Sequence, residues 1–182
     1  PSGKIGMEFK AWFQCINPDC GSQYELTDII YRCRDCDELL EVKHDMDQLK
    51  KRPAKEWREL FENRYRKNEW PYGSSVWGKK ELVCPNVENE NIVSTYEGGT
   101  NLFWADRLGQ ELGLEDFWVK QCGMAHTGSF KDLGMTILVS MVKQMISQGG
   151  NIKAVACAST GDTSASLAAY CAVAGIPAIV FL

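Results

Sequence analysis

The sequence predicts an α/β fold with an open parallel sheet, preceded by a small cysteine-rich extension. Two short apolar runs near the carboxyl end do not alternate with polar residues, and an alanine-rich stretch of helical character separates them. Such runs are typical of parallel strands that are buried on both faces. Near the amino end, four of the eight cysteines fall into two pairs. We therefore expect an extension at 1–45, an arm at 46–91 and an α/β body at 92–182.

Composition and charge exclude several classes of protein. The 182 residues are 45% hydrophobic and 24% charged, as in globular domains. The net charge of −4 argues against a large basic surface for nucleic acid. No apolar run reaches the roughly 18–20 residues that span a bilayer. Neither nucleic acid nor a membrane is therefore expected as a partner.

The paired cysteines of the extension have the spacing of a zinc ribbon. About a dozen residues separate the pair Cys15 and Cys20 from the pair Cys33 and Cys36, and four such thiolates can bind zinc tetrahedrally. The gap within the first pair is wider than in the usual zinc knuckle. Free or redox-active thiols are therefore the alternative.

Two further cysteines indicate the compartment. Cys157 and Cys171 lie in apolar, alanine-rich stretches, where a free cysteine behaves as a small buried hydrophobe. Free core cysteines suit a reducing compartment, so a cytoplasmic protein is expected. The plastid stroma is the alternative, if a transit segment has been removed.

The predicted arm and body contain helices and strands in a regular order. A helix is predicted from Asp47 to about Tyr65, and apolar residues at three- and four-residue steps predict another over Gly134–Gln148. The sequence that follows predicts a strand, a helix and a second strand: Ala154–Ala158, Thr163 to about Ala174, and Ala178–Leu182. This βαβ unit implies parallel strands with a right-handed crossover. Because so few strands cannot complete a sheet, we expect the chain to be a fragment of a larger protein.

The first chemical motif is Ala125–Asp132, directly before the predicted helix over Gly134–Gln148. Lys131 is expected in the first helical turn, where the helix dipole and apolar neighbours disfavour an ammonium group. A neutral amine is what attacks a carbonyl to form an imine. The alternative is an ordinary capped helix start with a solvated lysine.

The second motif, Ala158–Ser164, joins the first predicted strand of the βαβ unit to its helix. Loops at the carboxyl end of a parallel strand and the N-terminus of a helix bind anionic ligands. Asp162 can accept a hydrogen bond from a phenol or a ring nitrogen. The alternative is a helix cap formed by Thr160, Asp162 or Thr163. The motif lacks the Gly-Lys-Ser/Thr ending of a phosphate-binding P-loop.

Taken together, the motifs resemble those of the fold-type II pyridoxal-phosphate enzymes and, within them, the plant-type threonine synthases. Thr127–Asp132 resembles the cofactor-lysine motif, Ala156–Ala165 the substrate-carboxylate loop, and Glu97–Leu102 the segment that opens the catalytic fold. Many relatives have Asn-Pro in place of Ala125-His126 and Asn in place of Asp162. Both differences match the plant-type enzymes, as does Pro71–Trp77. The resemblance extends from about residue 38 onward and implies the open parallel sheet of the tryptophan synthase β-like kind.

The resemblance also implies roles for individual residues. Lys131 would carry pyridoxal 5′-phosphate as a Schiff base and then act as the acid–base, and Asp162 would lie near the 3-hydroxyl of the cofactor. Lys120 would lie near the substrate's phosphate. The substrate carboxylate would be held by Ser159, Thr160, Gly161 and Thr163. The family's glycine-rich loop for the cofactor phosphate is not found in these 182 residues, so we expect them alone to turn over nothing.

A regulatory site is implied as well. In plant-type threonine synthases the corresponding segments bind the activator S-adenosylmethionine near a dimer interface, and an aromatic face can stack on adenine or attract a sulfonium cation. The alternative is that Trp70, Tyr72 and Trp77 only pack the arm onto the body. The matching effector-binding positions are Ser75, Val76, Trp77, Gly98, Gly99 and Thr100.

The implied reaction is a carbon–oxygen lyase reaction that converts O-phospho-L-homoserine and water to L-threonine and phosphate, carried out by a homodimer. One alternative is another lyase of the same fold, a serine/threonine dehydratase or a cysteine synthase. The other is a non-catalytic zinc-ribbon interaction protein with an inactive α/β body.

Overall fold

The computed structural model describes residues 9–65 and 67–182, so residues 1–8 of the predicted extension lie outside the described residues. The strands are β1 (Ala11–Cys15), β2 (Gln23–Tyr24), β3 (Leu40–His44), β4 (Leu102–Trp104), β5 (Trp118–Lys120), β6 (Val155–Ala158) and β7 (Ala178–Phe181). The helices are α1 (Met46–Lys50), α2 (Ala54–Arg64), α3 (Lys80–Val83), α4 (Asp106–Leu112), α5 (Asp132–Ser147) and α6 (Asp162–Ala174). No described helix is long and apolar enough to cross a membrane.

The cysteine-rich segment is a small antiparallel sheet in which β1 lies between β2 and β3. Phe13 faces Tyr24 across one edge and Val42 across the other. Ala11 and Leu26 from this segment are buried in a core cluster with Trp77 of the arm. The extension therefore packs on the rest of the chain, and its division from the arm at residue 45 stays a prediction.

The helix predicted from Asp47 to Tyr65 is wrong as a single element. Pro53 separates α1 from α2, because proline has no amide hydrogen to continue a helix and its ring clashes with the preceding turn. Asp45 caps α1 by accepting a hydrogen bond from the Gln48 amide at 3.0 Å. Pro53 itself stands just before the first residue of α2, a position where proline is tolerated.

The arm is held to the body through Trp77, whose side chain is fully buried. Its indole Nε1–H donates to the Thr136 hydroxyl of α5 at 2.8 Å. Arg64 secures the same region by a two-pronged salt bridge to Glu81, with both N–O distances at 2.8 Å. Its guanidinium also lies 3.9 Å from the centroid of the Tyr72 ring. The predicted loop over 70–78 is thus a packed part of the structure.

The predicted βαβ unit is confirmed at the carboxyl end. β6 and β7 are parallel, with Val155 opposite Ala178 and Ala158 opposite Phe181, and α6 connects them. The helix α6 ends at Gly175, whose φ of +69° is the left-handed conformation that favours glycine at a helix end. α5 starts two residues before the predicted position and packs beside α6.

Of the two strand faces predicted to be buried, one is covered within the described residues. The helices cover one face, where Leu167, Tyr170 and Cys171 are fully or almost fully buried. On the other face Ile179 is 47% exposed and Phe181 60% exposed, because no described element covers it. Cys171 is buried as predicted, whereas Cys157 is only half-buried. β4 and β5 form a separate antiparallel pair that the sequence did not predict.

Candidate functional site

Lys131 lies at the start of α5, as its N-cap residue, one position before the first turn in which it was predicted. Gly128, with φ of +80°, turns the preceding loop, and the buried Ser129 hydroxyl accepts from the Lys131 amide at 3.3 Å. The Lys131 ammonium nitrogen lies 4.3 Å from the centroid of the Phe130 ring. Among the residues described, no carboxylate or carbonyl accepts a hydrogen bond from it. Within the described part of the chain the amine therefore has no hydrogen-bond acceptor.

The residue after the lysine, Asp132, is fully buried. One carboxylate oxygen accepts from the Ser166 hydroxyl at 2.6 Å and the Thr127 hydroxyl at 2.5 Å, and the other accepts from the Thr127 amide at 2.8 Å. Burial alone would raise the pKa of this carboxyl, but the hydrogen bonds from Ser166 and Thr127 hold the pKa below its ordinary value. Sequence reasoning gave Asp132 no role.

The loop before α6 does not contain the side-chain cap considered as an alternative. The N-cap residue is Gly161, and no side chain of Thr160, Asp162 or Thr163 caps the helix. The Asp162 carboxylate is exposed, and within the described residues it accepts no hydrogen bond. The amides of Asp162 and Thr163 likewise have no acceptor in the described part of the chain. The loop thus presents unused donors at a helix N-terminus, where the dipole favours an anion.

The two loops meet in space. Asp132 is the first residue of α5, and Ser166 lies in the second turn of α6, so their 2.6 Å hydrogen bond sets the N-termini of the two helices side by side. The sequence separates these residues by 34 positions. The loop that carries Lys131 and the loop that precedes α6 are therefore neighbours.

A second buried carboxylate, Glu97, was also not predicted to have a role. It is 2% exposed and accepts hydrogen bonds from the Ser94 hydroxyl at 2.9 Å, the Thr95 amide at 3.0 Å and the Tyr170 hydroxyl at 2.8 Å. Burial raises the pKa of the Tyr170 phenol, so the phenol stays protonated and can donate. Glu97 therefore fastens the segment before Gly98 to α6.

The predicted effector residues are only partly gathered in one place. Ser75 contacts Gly98 so closely that a Cβ added at Gly98 would lie 1.6 Å from the Ser75 hydroxyl oxygen. Ser75, Gly98 and Gly99 line an open cleft of about 320 Å³, with Tyr65 and Tyr96 among its other walls. The Trp77 ring is instead buried, and its indole nitrogen donates to the Thr136 hydroxyl, so its predicted stacking on an effector stays a prediction. Val76 packs against the same core cluster.

Lys120 lies on β5 and is hydrogen-bonded to a segment other than the two loops. Its ammonium group donates to the backbone carbonyl of Thr100, one of the predicted effector residues. No hydrogen bond between described residues joins Lys120 to Lys131 or to the loop before α6. Its predicted proximity to the substrate phosphate has no support from its contacts.

The four paired cysteines converge on one point. The Sγ atoms of Cys15 and Cys36 are 3.5 Å apart, those of Cys20 and Cys33 are 3.6 Å apart, and all four lie within 4.8 Å of one another. Four sulfurs around zinc at about 2.3 Å would be separated by about 3.8 Å in a regular tetrahedron. The Tyr24 hydroxyl lies 3.3 Å from the Cys33 sulfur, and this hydrogen bond lowers the pKa of the Cys33 thiol to about 6. The cluster can hold a metal ion.

Comparison with known proteins agrees with the position of the two loops. A family model described as "Pyridoxal-phosphate dependent enzyme" matches residues 93–182, which include both. The chain is 52% identical over 166 residues to "Threonine synthase 2, chloroplastic" of Arabidopsis thaliana, covering 91% of this chain and 32% of that protein. It is 41% identical over 169 residues to "Threonine synthase" of Methanosarcina acetivorans, covering 93% of this chain and 36% of that protein.

The "Threonine synthase" of Methanocaldococcus jannaschii is 40% identical over 169 residues, with 93% of this chain and 37% of that protein covered. The chain thus spans about a third of the length of the curated relatives it matches. The matches cover the lysine loop, the loop before α6 and most of the arm and extension. Residues 93–182, which carry both loops, are similar to the family of pyridoxal-phosphate dependent enzymes.

Proposed function

We propose that the protein containing this chain is a threonine synthase, which converts O-phospho-L-homoserine and water to L-threonine and phosphate. The observation that carries the proposal is the junction of the Lys131 loop with the Ser159–Thr163 loop at two adjacent helix N-termini. The 52% identity with a plant threonine synthase supports this reaction over the other lyases of the family.

The residues present fit pyridoxal 5′-phosphate. Lys131 offers an amine with no competing acceptor among the described residues, and the Asp162 carboxylate is exposed at the start of α6. Lys131 would bind the cofactor covalently, and Asp162 would accept a hydrogen bond from its phenolic oxygen. When bound, this cofactor supplies an electron sink for the carbanion formed at the substrate's α carbon.

The substrate carboxylate suits the loop before α6. The unused amides of Asp162 and Thr163 and the positive end of the α6 dipole would bind it, together with hydroxyl groups of the loop. The proposed carboxylate-binding residues are Ser159, Thr160, Gly161 and Thr163. Lys120 is proposed to interact with the phosphate group of the substrate through the hydrogens of its ammonium group that do not bond to the Thr100 carbonyl.

Lys131 is also proposed as the proton carrier. Its Nζ is the reactive base at the junction of the two loops, so it is suited to take the proton from the α carbon of the substrate. The same nitrogen would return protons later in the reaction. The buried Ser129 hydroxyl accepts a hydrogen bond from the Lys131 amide, which fixes the backbone that carries this nitrogen.

Regulation by S-adenosylmethionine in a homodimer is the next part of the proposal. The cleft lined by Ser75, Gly98 and Gly99 has the volume for part of such a ligand, and Tyr65 and Tyr96 contribute aromatic rings to its walls. An aromatic ring attracts a sulfonium cation. With Trp77 buried, these tyrosines would supply the aromatic contacts.

The cysteine cluster is proposed to hold a structural zinc ion. The distances between its sulfur atoms are close to those of a tetrahedral site, and each differs from the roughly 2.05 Å of a disulfide bond.

Of the two predicted compartments, the plastid stroma is favoured by the identity with a chloroplastic protein. A zinc ribbon beside an active lyase also fits better than a zinc ribbon beside an inactive body, because Lys131 is retained.

The proposed activity is tested by incubating the full-length protein and pyridoxal phosphate with O-phospho-L-homoserine. Equal amounts of phosphate and L-threonine are expected. Formation of a 2-oxo acid from threonine or serine, without phosphate release from phosphohomoserine, would instead identify a dehydratase. A protein that binds zinc but no pyridoxal phosphate would support the non-catalytic alternative and overturn the proposal.

Replacing Asp162 by alanine should reduce catalysis without reducing stability. Because its carboxylate is exposed and does not cap α6, the free energy of unfolding should change by no more than about 0.5 kcal/mol. We expect kcat to fall by about 10²-fold, the lower end for a group that assists proton transfer. Thermal melts and kinetics on one sample measure both quantities.

Asp106 provides a matched control, since it is also the first residue of a helix, α4, and lies outside the proposed site. Asp106→Ala should leave kcat unchanged. A melting temperature that drops for Asp162→Ala while the activity per folded molecule stays intact would contradict the role proposed for Asp162.

A further inference from the structure

Asp132 is buried, charged and adjacent to the proposed catalytic lysine, yet the reaction proposed above assigns it no task. Its carboxylate forms no ion pair with a lysine or an arginine within the described residues. All three of its hydrogen-bond donors are neutral groups, two hydroxyls and one amide. A buried carboxylate is costly unless its hydrogen bonds are well formed, so this arrangement needs an explanation beyond filling space.

The donors come from two different parts of the site. Thr127 opens the loop that leads to Lys131, and it donates both its amide and its hydroxyl to Asp132. Ser166 belongs to α6, one turn after Asp162, and it donates its hydroxyl to the same carboxylate. One side chain thus fixes the loop of the lysine and the helix that begins at the anion-binding loop.

The negative charge of the Asp132 carboxylate strengthens the hydrogen bonds that it accepts. The Ser166 and Thr127 hydrogen bonds lower the pKa of Asp132 despite its burial, so the carboxylate is ionised at neutral pH and each bond is charge-assisted. Such bonds are about twice as strong as those between neutral groups. Lys131 does not compete for the carboxylate, because its ammonium nitrogen lies over the Phe130 ring.

We propose that Asp132 is a positioning residue that holds the Lys131 loop and the Ser159–Thr163 loop in one fixed arrangement through Thr127 and Ser166. The inference rests on the proposed function, since it concerns the geometry between the lysine amine and the substrate carboxylate. A shift of about 1 Å between such groups can lower a rate by about 10²-fold. The carboxylate acts through its neighbours and does not contact the reacting atoms.

Asparagine is the conservative replacement that separates positioning from charge. In Asp132→Asn the amide can turn so that its oxygen accepts from the Thr127 amide while its NH₂ group donates to the Thr127 and Ser166 hydroxyls. The connection between the loops would survive in weaker form. Asp132→Ala removes all three bonds. Positioning therefore predicts partial rescue by asparagine relative to alanine.

Hydrogen exchange of the full-length protein, measured without cofactor or substrate, tests whether Asp132 links the two loops. In Asp132→Ala, peptides covering 125–131 and 159–166 should both exchange about 10-fold faster, as expected when charge-assisted bonds are lost. Ser166→Ala should loosen 159–166 in the same way. Faster exchange confined to 125–131 in Asp132→Ala would overturn the proposal, because the carboxylate would then hold only its own loop.

Ser140→Ala is the matched control. Ser140 is a fully buried helical serine like Ser166, but it bonds to the backbone of Val93 and Thr136 and not to either loop. It should lower the melting temperature and leave exchange in both loops unchanged. Loosening of both loops by Ser140→Ala to the same extent would show a general loss of packing and would overturn the assignment.

Kinetics complete the test at a temperature where every variant is folded. With occupancy measured as pyridoxal phosphate released per chain, Asp132→Ala should lower kcat/KM per bound cofactor by about 10²-fold. Asp132→Asn should recover a large part of the loss. Equal kcat/KM for wild type and Asp132→Ala would overturn positioning. A wild type that binds no pyridoxal phosphate would overturn the proposed function, while the exchange experiment would still decide whether Asp132 links the loops.

Discussion

Replacing Lys131 by alanine should abolish turnover and remove the visible absorbance of bound pyridoxal phosphate. The Lys131 amine has no other partner in the described part of the chain than the Phe130 ring, so the substitution removes a reactive group and little structure. The helix α5 has no side-chain cap to lose at this position. We expect the loss of activity to be complete, measured as phosphate released from O-phospho-L-homoserine. The melting temperature should be close to that of the cofactor-free wild type, because bound cofactor itself stabilises the folded state.

Two further variants sharpen this test. Lys131→Arg keeps the positive charge and a contact with Phe130 but cannot bind the cofactor covalently, so it should be as inactive as alanine. Lys153→Ala removes an exposed lysine outside both loops and should retain full activity. Borohydride treatment of the wild type should attach the cofactor to the peptide that contains Lys131. Attachment at another lysine, or an unchanged visible spectrum, would contradict the assignment.

Local sequence patterns predicted the regular part of the fold well. The apolar periodicity over 134–148 predicted the helix α5, although its fully buried residues include the polar Thr136 and Ser140 beside Val139. Gly175 marked the end of α6 because its left-handed backbone favours glycine. The order of strand, helix and strand was enough to predict the parallel pairing of β6 with β7. These features depend on residues that are close in sequence.

The features that were missed depend on contacts between distant residues. β4 and β5 are three residues each, are largely exposed, and pair only after α4 has intervened, so neither alternates nor forms a buried run. Trp77 could be predicted as an effector contact or as a packing residue. Its hydrogen bond to Thr136, 59 residues away, is the contact of a packing residue, and no local pattern predicts it. The break at Pro53, by contrast, could have been recognised, since proline rarely continues a helix.

The burial of the two carboxylates also depends on contacts between distant residues, so the sequence did not predict it. Asp132 lies within the lysine motif, and only its contact with Ser166 shows that it joins two loops. Glu97 gains its partner Tyr170 across 73 residues. An acidic residue in a sequence is most often solvated, so nothing local distinguishes these two from the many exposed acids. Their burial follows from the packing of α5 and α6, which the sequence alone does not give.

Replacing one cysteine of the ribbon should release the metal and unfold the amino-terminal segment. Its sheet is small, and the four sulfur atoms lie where a zinc ion would join β1 to the turns that contain Cys20, Cys33 and Cys36. A sheet of this size buries too little apolar surface to be stable alone, so a bound metal would supply much of its folding free energy. Metal analysis of the purified protein should give about one zinc per chain.

Cys33→Ser should lose that zinc and expose amides over residues 11–44 to rapid hydrogen exchange. α6 should remain protected, because the core cluster in which it is buried contains no residue of the ribbon. Cys122→Ser is the matched control, since Cys122 is a half-buried cysteine outside the cluster, and it should keep full zinc content.

The alternative of redox-active thiols predicts a metal-free protein. Its four ribbon thiols would react freely with a thiol reagent, or its mass would fall by two hydrogens for each pair oxidised. Because Cys15 lies near Cys36 and Cys20 near Cys33, oxidation would join those pairs, and finding either disulfide in protein purified under reducing conditions would contradict the zinc site.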